Sequence, residues 1–260
     1  MLPLVHALIS GVFYNEINLM IDSGYAIEPG CLSNPKCDEL IDRLSSDQVA
    51  RSRAGARHLM SHPGVAALAA SDGLVGLASE WLRQRAVPFR ATLFEKSRAT
   101  NWLIPWHQDT ALPLCNRFNA AGWGPWSKKT GVIYAHAPAS ALSRVIALRV
   151  HLDASTIGNG PLRVIPGSHQ GGVLTDQSVM EYVSSHNAVE CLAPRGGVIA
   201  MRPLLIHSSS KARSTEPRRV LHIEYADSLD LGEGVRLAVV SGRRLAKPPQ
   251  DAILPHMREV

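Results

Sequence analysis

Residues 87–110 read VPFRATLFEKSRATNWLIPWHQDT, and the texture of the chain changes there. Upstream, apolar residues recur at helical spacing over Phe13–Ile21, over a short amphipathic turn at 38–44, and through the Ala- and Leu-rich stretch 62–85, where Pro63 suits a first helical turn. Downstream, short β-type runs separated by Gly, Pro and Asn follow at 89–94, 144–152, 162–165, 198–200, 204–207 and 220–225. Helices first and many short strands after them predict a mostly β chain: an antiparallel sandwich or barrel with flanking helices. Gly158–Pro161 and Pro166–Ser168 read as turns, and neither has the strand, glycine-rich loop, lysine and helix of a phosphate loop.

The opening stretch ends on His107 and Asp109. On a strand, residues two apart share a face, with Cα atoms about 7 Å apart, so an imidazole and a carboxylate converge there. A lone H-x-D is a weak signal, equally served by a hydrogen-bonded pair at a strand end. His207, which closes the apolar run Pro203–Ile206, supplies a third donor from a later strand. Two imidazoles and a carboxylate on one side of a metal, with the other positions open, is the arrangement of non-haem Fe(II) oxygenases, whereas a structural zinc site closes its fourth position. Arg218, eleven residues past His207, opens the apolar run Val220–Ile223 and has the bidentate geometry to hold a carboxylate.

Composition narrows the classes. With 260 residues, 45% apolar and 19% charged, the chain is long enough for a sizeable core, and it is predicted to form one domain. No apolar run approaches the roughly 20 residues of a membrane span. The 27 basic residues exceed the 22 acids, but they are spread along the chain, so neither nucleic acid nor a membrane surface is expected as a partner. Four cysteines without a C-x-x-C pair point to reduced thiols in a cytoplasm, and MLPLVHALIS lacks the basic start of a signal peptide. The basic stretch 243–247, followed by two prolines, reads as a solvated strap.

Four segments in order carry a resemblance: H-Q-D (107–109), N-G-P-L-R-V-I-P-G-S-H (159–169), G-G-V-I-A-M-R-P-L-L-I-H (196–207) and R-R-V-L-H (218–222). Together they resemble the phytanoyl-CoA dioxygenase family, over about residues 89–226. W-H-Q-D and the insert G-W-G-P-W-S-K-K-T-G-V resemble its bacterial branch. The resemblance implies a double-stranded β-helix, a cupin-like jelly-roll barrel at about 87–228, behind an N-terminal helical layer at about 1–86. It implies Fe(II), 2-oxoglutarate and O2 as cofactor and co-substrates, with ascorbate as a stimulant, and His107, Asp109 and His207 as ligands. Arg218 and Ser209 match positions that hold the distal carboxylate of 2-oxoglutarate, and Thr92 and Arg149 match positions in the same pocket. Because Asp109 is a carboxylate, hydroxylation is expected over halogenation.

The roughly thirty residues after the metal pair, an insert at about 111–143, read as an irregular substrate lid. With Trp106 before it, the lid would present Trp123, Trp126, Lys128, Lys129, Tyr134 and His136 to a small substrate with an apolar body and an anionic end. His151 and His222 read as satisfied core or near-core imidazoles rather than ligands, and Lys96 as a strand end or part of the mouth. A monomer or small homo-oligomer is expected. A zinc-dependent hydrolase or isomerase using the same triad, and a non-catalytic ligand-binding barrel, remain open on sequence alone.

Overall fold

The computed structural model describes residues 22–47, 49–52, 55–97 and 100–239. The stretch Phe13–Ile21, the basic strap at 243–247 and the outermost histidines lie outside them. The first third contributes strands as well as helices: β1 (Tyr25–Glu28), β2 (Arg51–Ser52) and β3 (Gly55–Ala56), with helices Asn34–Ser46, Pro63–Ala69 and Asp72–Leu82. The expected amphipathic turn is thus a full helix, and the expected long helix is two. The break falls at Ala70–Ser71, where Ser71 takes the N-terminal position of the next helix and bonds the Leu68 carbonyl.

The barrel then runs through β4 (Val87–Lys96) and β5 (Ile104–His107), the insert strands β6 (Ala111–Leu114), β7 (Trp126–Lys129) and β8 (Val132–His136), and on to β9 (Val145–His151). It continues with β10 (Leu162–Val164), β11 (Val189–Cys191), β12 (Val198–Met201), β13 (His207–Ser209) and β14 (Arg218–Ala226), and a small hairpin, β15 (Asp230–Gly232) and β16 (Val235–Arg236), closes the described chain. One sheet has the order β1-β12-β9-β14-β4-β3-β2 and the facing one β11-β10-β13-β5. All pairings are antiparallel, and from β9 to β14 the chain passes back and forth between the two sheets. That alternation is the jelly-roll expected from the sequence. Because β1 is bonded to β12, the N-terminal layer is partly woven into the barrel rather than merely laid on it.

Period-2 alternation decides what each face of the large sheet does. Leu93, Leu148, Val150, Leu221, Ile223 and Tyr225 point outward and are covered by Leu40, Leu44, Val65, Leu68, Ala78 and Trp81 of the helices. Each such side chain contributes about 1.5–3 kcal/mol by leaving water. The other face looks into the barrel. Ala147, Ile199 and Met201 fill one part of it against Leu162, Val164 and Leu205, and polar residues line the rest. Among the described residues no single helix is long and apolar enough to cross a membrane.

Two expectations fail here for physical reasons. The run Leu204–His207 is not a strand: the chain leaves β12 at Met201, turns through Pro203–Leu205 with Leu205 N–H on the Arg202 carbonyl, and starts β13 only at His207. It must cross between sheets there, and Pro203 has no N–H to give a ladder. The insert is not irregular either. Strands β6, β8 and β7 form a three-stranded sheet, and Thr130 and Gly131, both at positive φ, make the two-residue turn joining β7 to β8.

Candidate metal centre

His107 closes β5 and His207 opens β13, and the two are directly paired across the ladder, with ring centroids 4.2 Å apart. Asp109 sits two residues beyond His107, off the strand, where its N–H bonds the Pro203 carbonyl at 2.9 Å. That contact, just off the end of the strand, aims the carboxylate, not the shared strand face expected from H-x-D. One carboxylate oxygen lies 3.7 Å from His107 Nε2 and the other 3.5 Å from His207 Nε2. The three donor atoms all fall within 4.8 Å of one another. Neighbouring ligands of one octahedral ion sit roughly 3 Å apart at bonds of about 2.1 Å, so the set needs little contraction.

Each imidazole is oriented in the same way. His107 Nδ1 donates to the Pro105 carbonyl and His207 Nδ1 to the Leu205 carbonyl, both at 2.9 Å, which leaves both Nε2 lone pairs facing Asp109. Burial holds the His207 imidazole down to about 4, so it stays neutral and able to bind a metal. Burial alone would raise Asp109, but the imidazoles of His207 and His107, then His222 and Arg90, outweigh it and hold the carboxyl well below the usual range. Gln108, the middle residue of H-Q-D, anchors this stretch. Its amide donates to the Gly172 and Leu204 carbonyls and accepts from Leu174 N–H, at 2.7–2.9 Å.

The donors open onto a cavity of about 340 Å³. Its sheet wall carries Thr92 and Phe94 from β4, Arg149 from β9 and His222 from β14. His222, buried and hydrogen-bonded as expected of a near-core imidazole, also walls the cavity; its Nδ1 accepts from Arg149 Nη1 at 3.2 Å. The reading of His151 as a satisfied core imidazole fails, since it is fully buried with neither ring nitrogen bonded. Burial, then Arg149 and Arg218, pushes it down to about 3.

Behind Ser209 lies a group of cations. Arg218 is 1% exposed; its Nη2 reaches Ser209 Oγ at 3.4 Å, while Nε and Nη1 have no partner. Lys96, fully buried, donates to the same Oγ at 2.8 Å and to the Ser210 carbonyl. Burial first, then Arg218, pushes this ammonium down to about 7. Ser209 gives its own proton to the Gly160 carbonyl at 2.8 Å, so it holds the two cations in place through its lone pairs. Gly160, at positive φ, admits no side chain here: a Cβ would overlap the Ser210 carbonyl. Arg219, next to Arg218, is occupied by Asp153 through two hydrogen bonds of 2.7 and 2.8 Å.

Of the proposed lid residues, Lys129, Tyr134 and His136 line the cavity, and Trp106, Trp123, Trp126 and Lys128 do not. Alternation explains the split. In the paired strands Ser127 faces Tyr134 and Lys129 faces Val132, so Trp126 and Lys128 project to the other side. There Trp123 and Trp126 pack edge-on against Phe118, with centroids 5.2 and 5.1 Å apart. Trp106 packs with the Ile165–Val179–Ile206 cluster under Arg163. The tryptophans pin the insert and the metal strand to the barrel and wall no mouth. Arg57, His58, Arg90 and Thr110 also line the cavity, and no sequence signal marked them.

The sequence matches the family described as phytanoyl-CoA dioxygenase (PhyH) over residues 22–220. L-proline trans-4-hydroxylase of Streptomyces griseoviridis is 29% identical over 178 residues, 58% of this chain and 59% of that protein, so the match spans less than two thirds of the relative. The apo structure of EctD from S. alaskensis superposes with a TM-score of 0.63 at 20% identity, covering 89% of this chain and 84% of that one. The non-heme alpha ketoglutarate dependent epimerase SnoN from nogalamycin biosynthesis gives 0.63 at 16% identity, covering 96% and 94%. These two share the fold, and the family match over most of the length decides membership: the chain belongs to the phytanoyl-CoA dioxygenase family.

Proposed function

We propose that the protein is an Fe(II)- and 2-oxoglutarate-dependent dioxygenase that hydroxylates an unactivated C–H bond of a small, carboxylate-bearing metabolite or amino-acid derivative, releasing succinate and carbon dioxide. The observation that carries this reading is a one-sided His107–Asp109–His207 donor set beside a buried cation pair, Arg218 and Lys96, that has no carboxylate of its own. Both groups fit what they would hold. The donors are two imidazoles and a carboxylate, suited to a divalent ion, and the orphaned Arg218 atoms suit a carboxylate.

Iron and 2-oxoglutarate, when bound, supply the dioxygen chemistry that oxidises the C–H bond. The chain's share is positioning. His107, Asp109 and His207 hold the metal from one side and leave the cavity side open. Arg218 takes the distal carboxylate on Nε and Nη1, with Ser209 fixing Arg218 and Lys96 rather than donating itself. Thr92 and Arg149 line the co-substrate's side of the wall. Lys129, Tyr134 and His136 bound the substrate. The relative named for L-proline supports a small, carboxylate-bearing substrate. All four cysteines are free, which fits a reducing compartment such as the cytoplasm.

Anaerobic addition of Fe(II) and then 2-oxoglutarate tests this reading through the weak visible charge-transfer band of a chelated keto acid. The band is expected in the parent protein and absent from Asp109→Ala. No band, together with full zinc occupancy and turnover without oxygen, overturns it in favour of a metal-dependent hydrolase.

A further inference from the structure

The half of the cavity away from Ser209 is walled by Arg57, His58, Arg90, Lys129, Tyr134 and His136. Its charges are of one sign. Around the whole cavity four permanent cations, Arg57, Arg90, Lys129 and Arg149, face a single carboxylate, Asp109, which the metal would occupy. Arg90 is neutralised from behind by Glu224. Arg57 and Lys129 have no carboxylate partner among the described residues, and Arg149, 5% exposed, keeps its Nε unbonded.

The wall is also built rather than incidental. Tyr134, 5% exposed, is held by its hydroxyl 3.3 Å from His58 Nε2, and its ring has Arg90 on it at 5.9 Å and Lys129 Nζ at 5.5 Å from the centroid. His58 itself sits at φ 64°, a left-handed conformation uncommon for a residue with a side chain. His136 is tied to Thr110 Oγ1 at 2.7 Å. The tyrosine ring thus presents an apolar surface with cations around it, and no acid stands within this wall to receive an ammonium group.

We infer that the substrate is an organic acid that carries no free ammonium group, with its carboxylate held between Arg57 and Lys129 and its apolar body against Tyr134. This inference rests on the oxygenase reading for the word substrate, but its charge argument concerns binding alone. It separates this chain from its L-proline relative, since proline at neutral pH brings an ammonium group. An ammonium group placed at this wall meets Arg57, Arg90 and Lys129 and finds no carboxylate of the wall's own to pair with.

Three ring-matched probes test it: cyclopentanecarboxylate, L-proline and cyclopentylamine, titrated calorimetrically into protein loaded anaerobically with Fe(II) and 2-oxoglutarate, and into unloaded protein. The acid is expected to bind about tenfold or more tighter than the zwitterion, and the amine weakest of all. The double variant Arg57→Gln/Lys129→Gln should lose about tenfold in affinity for the acid, while Lys128→Gln, whose side chain points away from the cavity, should lose none. An acid that does not bind, a zwitterion or amine that binds as tightly, or equal losses in the two variants overturns the inference. Selective acid binding without a charge-transfer band would sink the oxygenase reading and leave this one standing. A band accompanied by preference for the ammonium-bearing probes would do the reverse.

Discussion

The two ends of the β4–β14 ladder carry the same kind of charge and treat it in opposite ways. At one end Arg90 lies opposite Glu224 and is bound by it through two hydrogen bonds. At the other end Lys96 lies opposite Arg218, two cations facing each other with a serine hydroxyl between them. Like charges directly across a ladder are destabilising, and buried charges without partners are more so. One strand pair therefore holds a finished ion pair and an unfinished one. The finished end needs nothing from outside and serves as scaffold, whereas the unfinished end leaves two Arg218 nitrogens unbonded, as the proposed 2-oxoglutarate site requires.

Breaking the finished end should cost the most stability. Glu224→Ala leaves Arg90 buried and unpaired, and denaturant unfolding should show a loss of about 3–5 kcal/mol. At the open end the cost should move from stability to binding. Arg218→Ala should weaken 2-oxoglutarate by about 2–5 kcal/mol in calorimetry while changing unfolding free energy by less than about 1 kcal/mol. Unchanged affinity would contradict the assignment, and Arg219 offers no substitute because Asp153 holds it. Smaller still, Lys96→Met should raise the stability of the ligand-free protein by about 1 kcal/mol, since it replaces an uncompensated buried charge with an apolar chain, and should weaken 2-oxoglutarate at the same time.

The same lysine should also give stability a pH slope. Lys96 titrates at about 7 in the folded chain against 10.5 in the open one, so between those values the unfolded state binds more protons. Ligand-free stability should therefore rise with pH from about 7 to 10.5 and be insensitive to this group below 7. Urea midpoints across that window should rise more steeply in the parent protein than in Lys96→Met. Identical slopes would mean that Lys96 keeps its charge when buried, and the two ladder ends would then differ less than their contacts imply.

The metal ligands were legible because coordination demands particular residue types at particular spacings, and His107, Asp109 and His207 stand out even in an unaligned chain. Arg218 stood out by its residue type and its eleven-residue spacing from His207. Lys96 did not, since a lysine at a strand end reads as solvated until the register that sets Arg218 against it is known. The insert was misread for a similar reason: Gly-Trp-Gly-Pro hides the strand that follows, although Thr130–Gly131 was a usable turn signal. Tryptophan crowding in sequence said nothing about facing. Trp126 and Lys128 sit on the opposite side of β7 from Lys129, and one residue of parity separates a packing anchor from a cavity wall.

The hairpin built on Thr130–Gly131 turns that parity into a handle for redesign. Its base is packed into the cluster of Leu112, Leu114, Ala135 and Leu142, and its tip carries Lys129 at the cavity's edge. Lengthening the turn by paired residues would extend the reach of the tip while preserving which side each residue faces, whereas a single-residue insertion on the β7 side would exchange Lys129 for Lys128 at the mouth. Under the proposed function, breadth of substrate acceptance would thereby be adjustable from a surface turn.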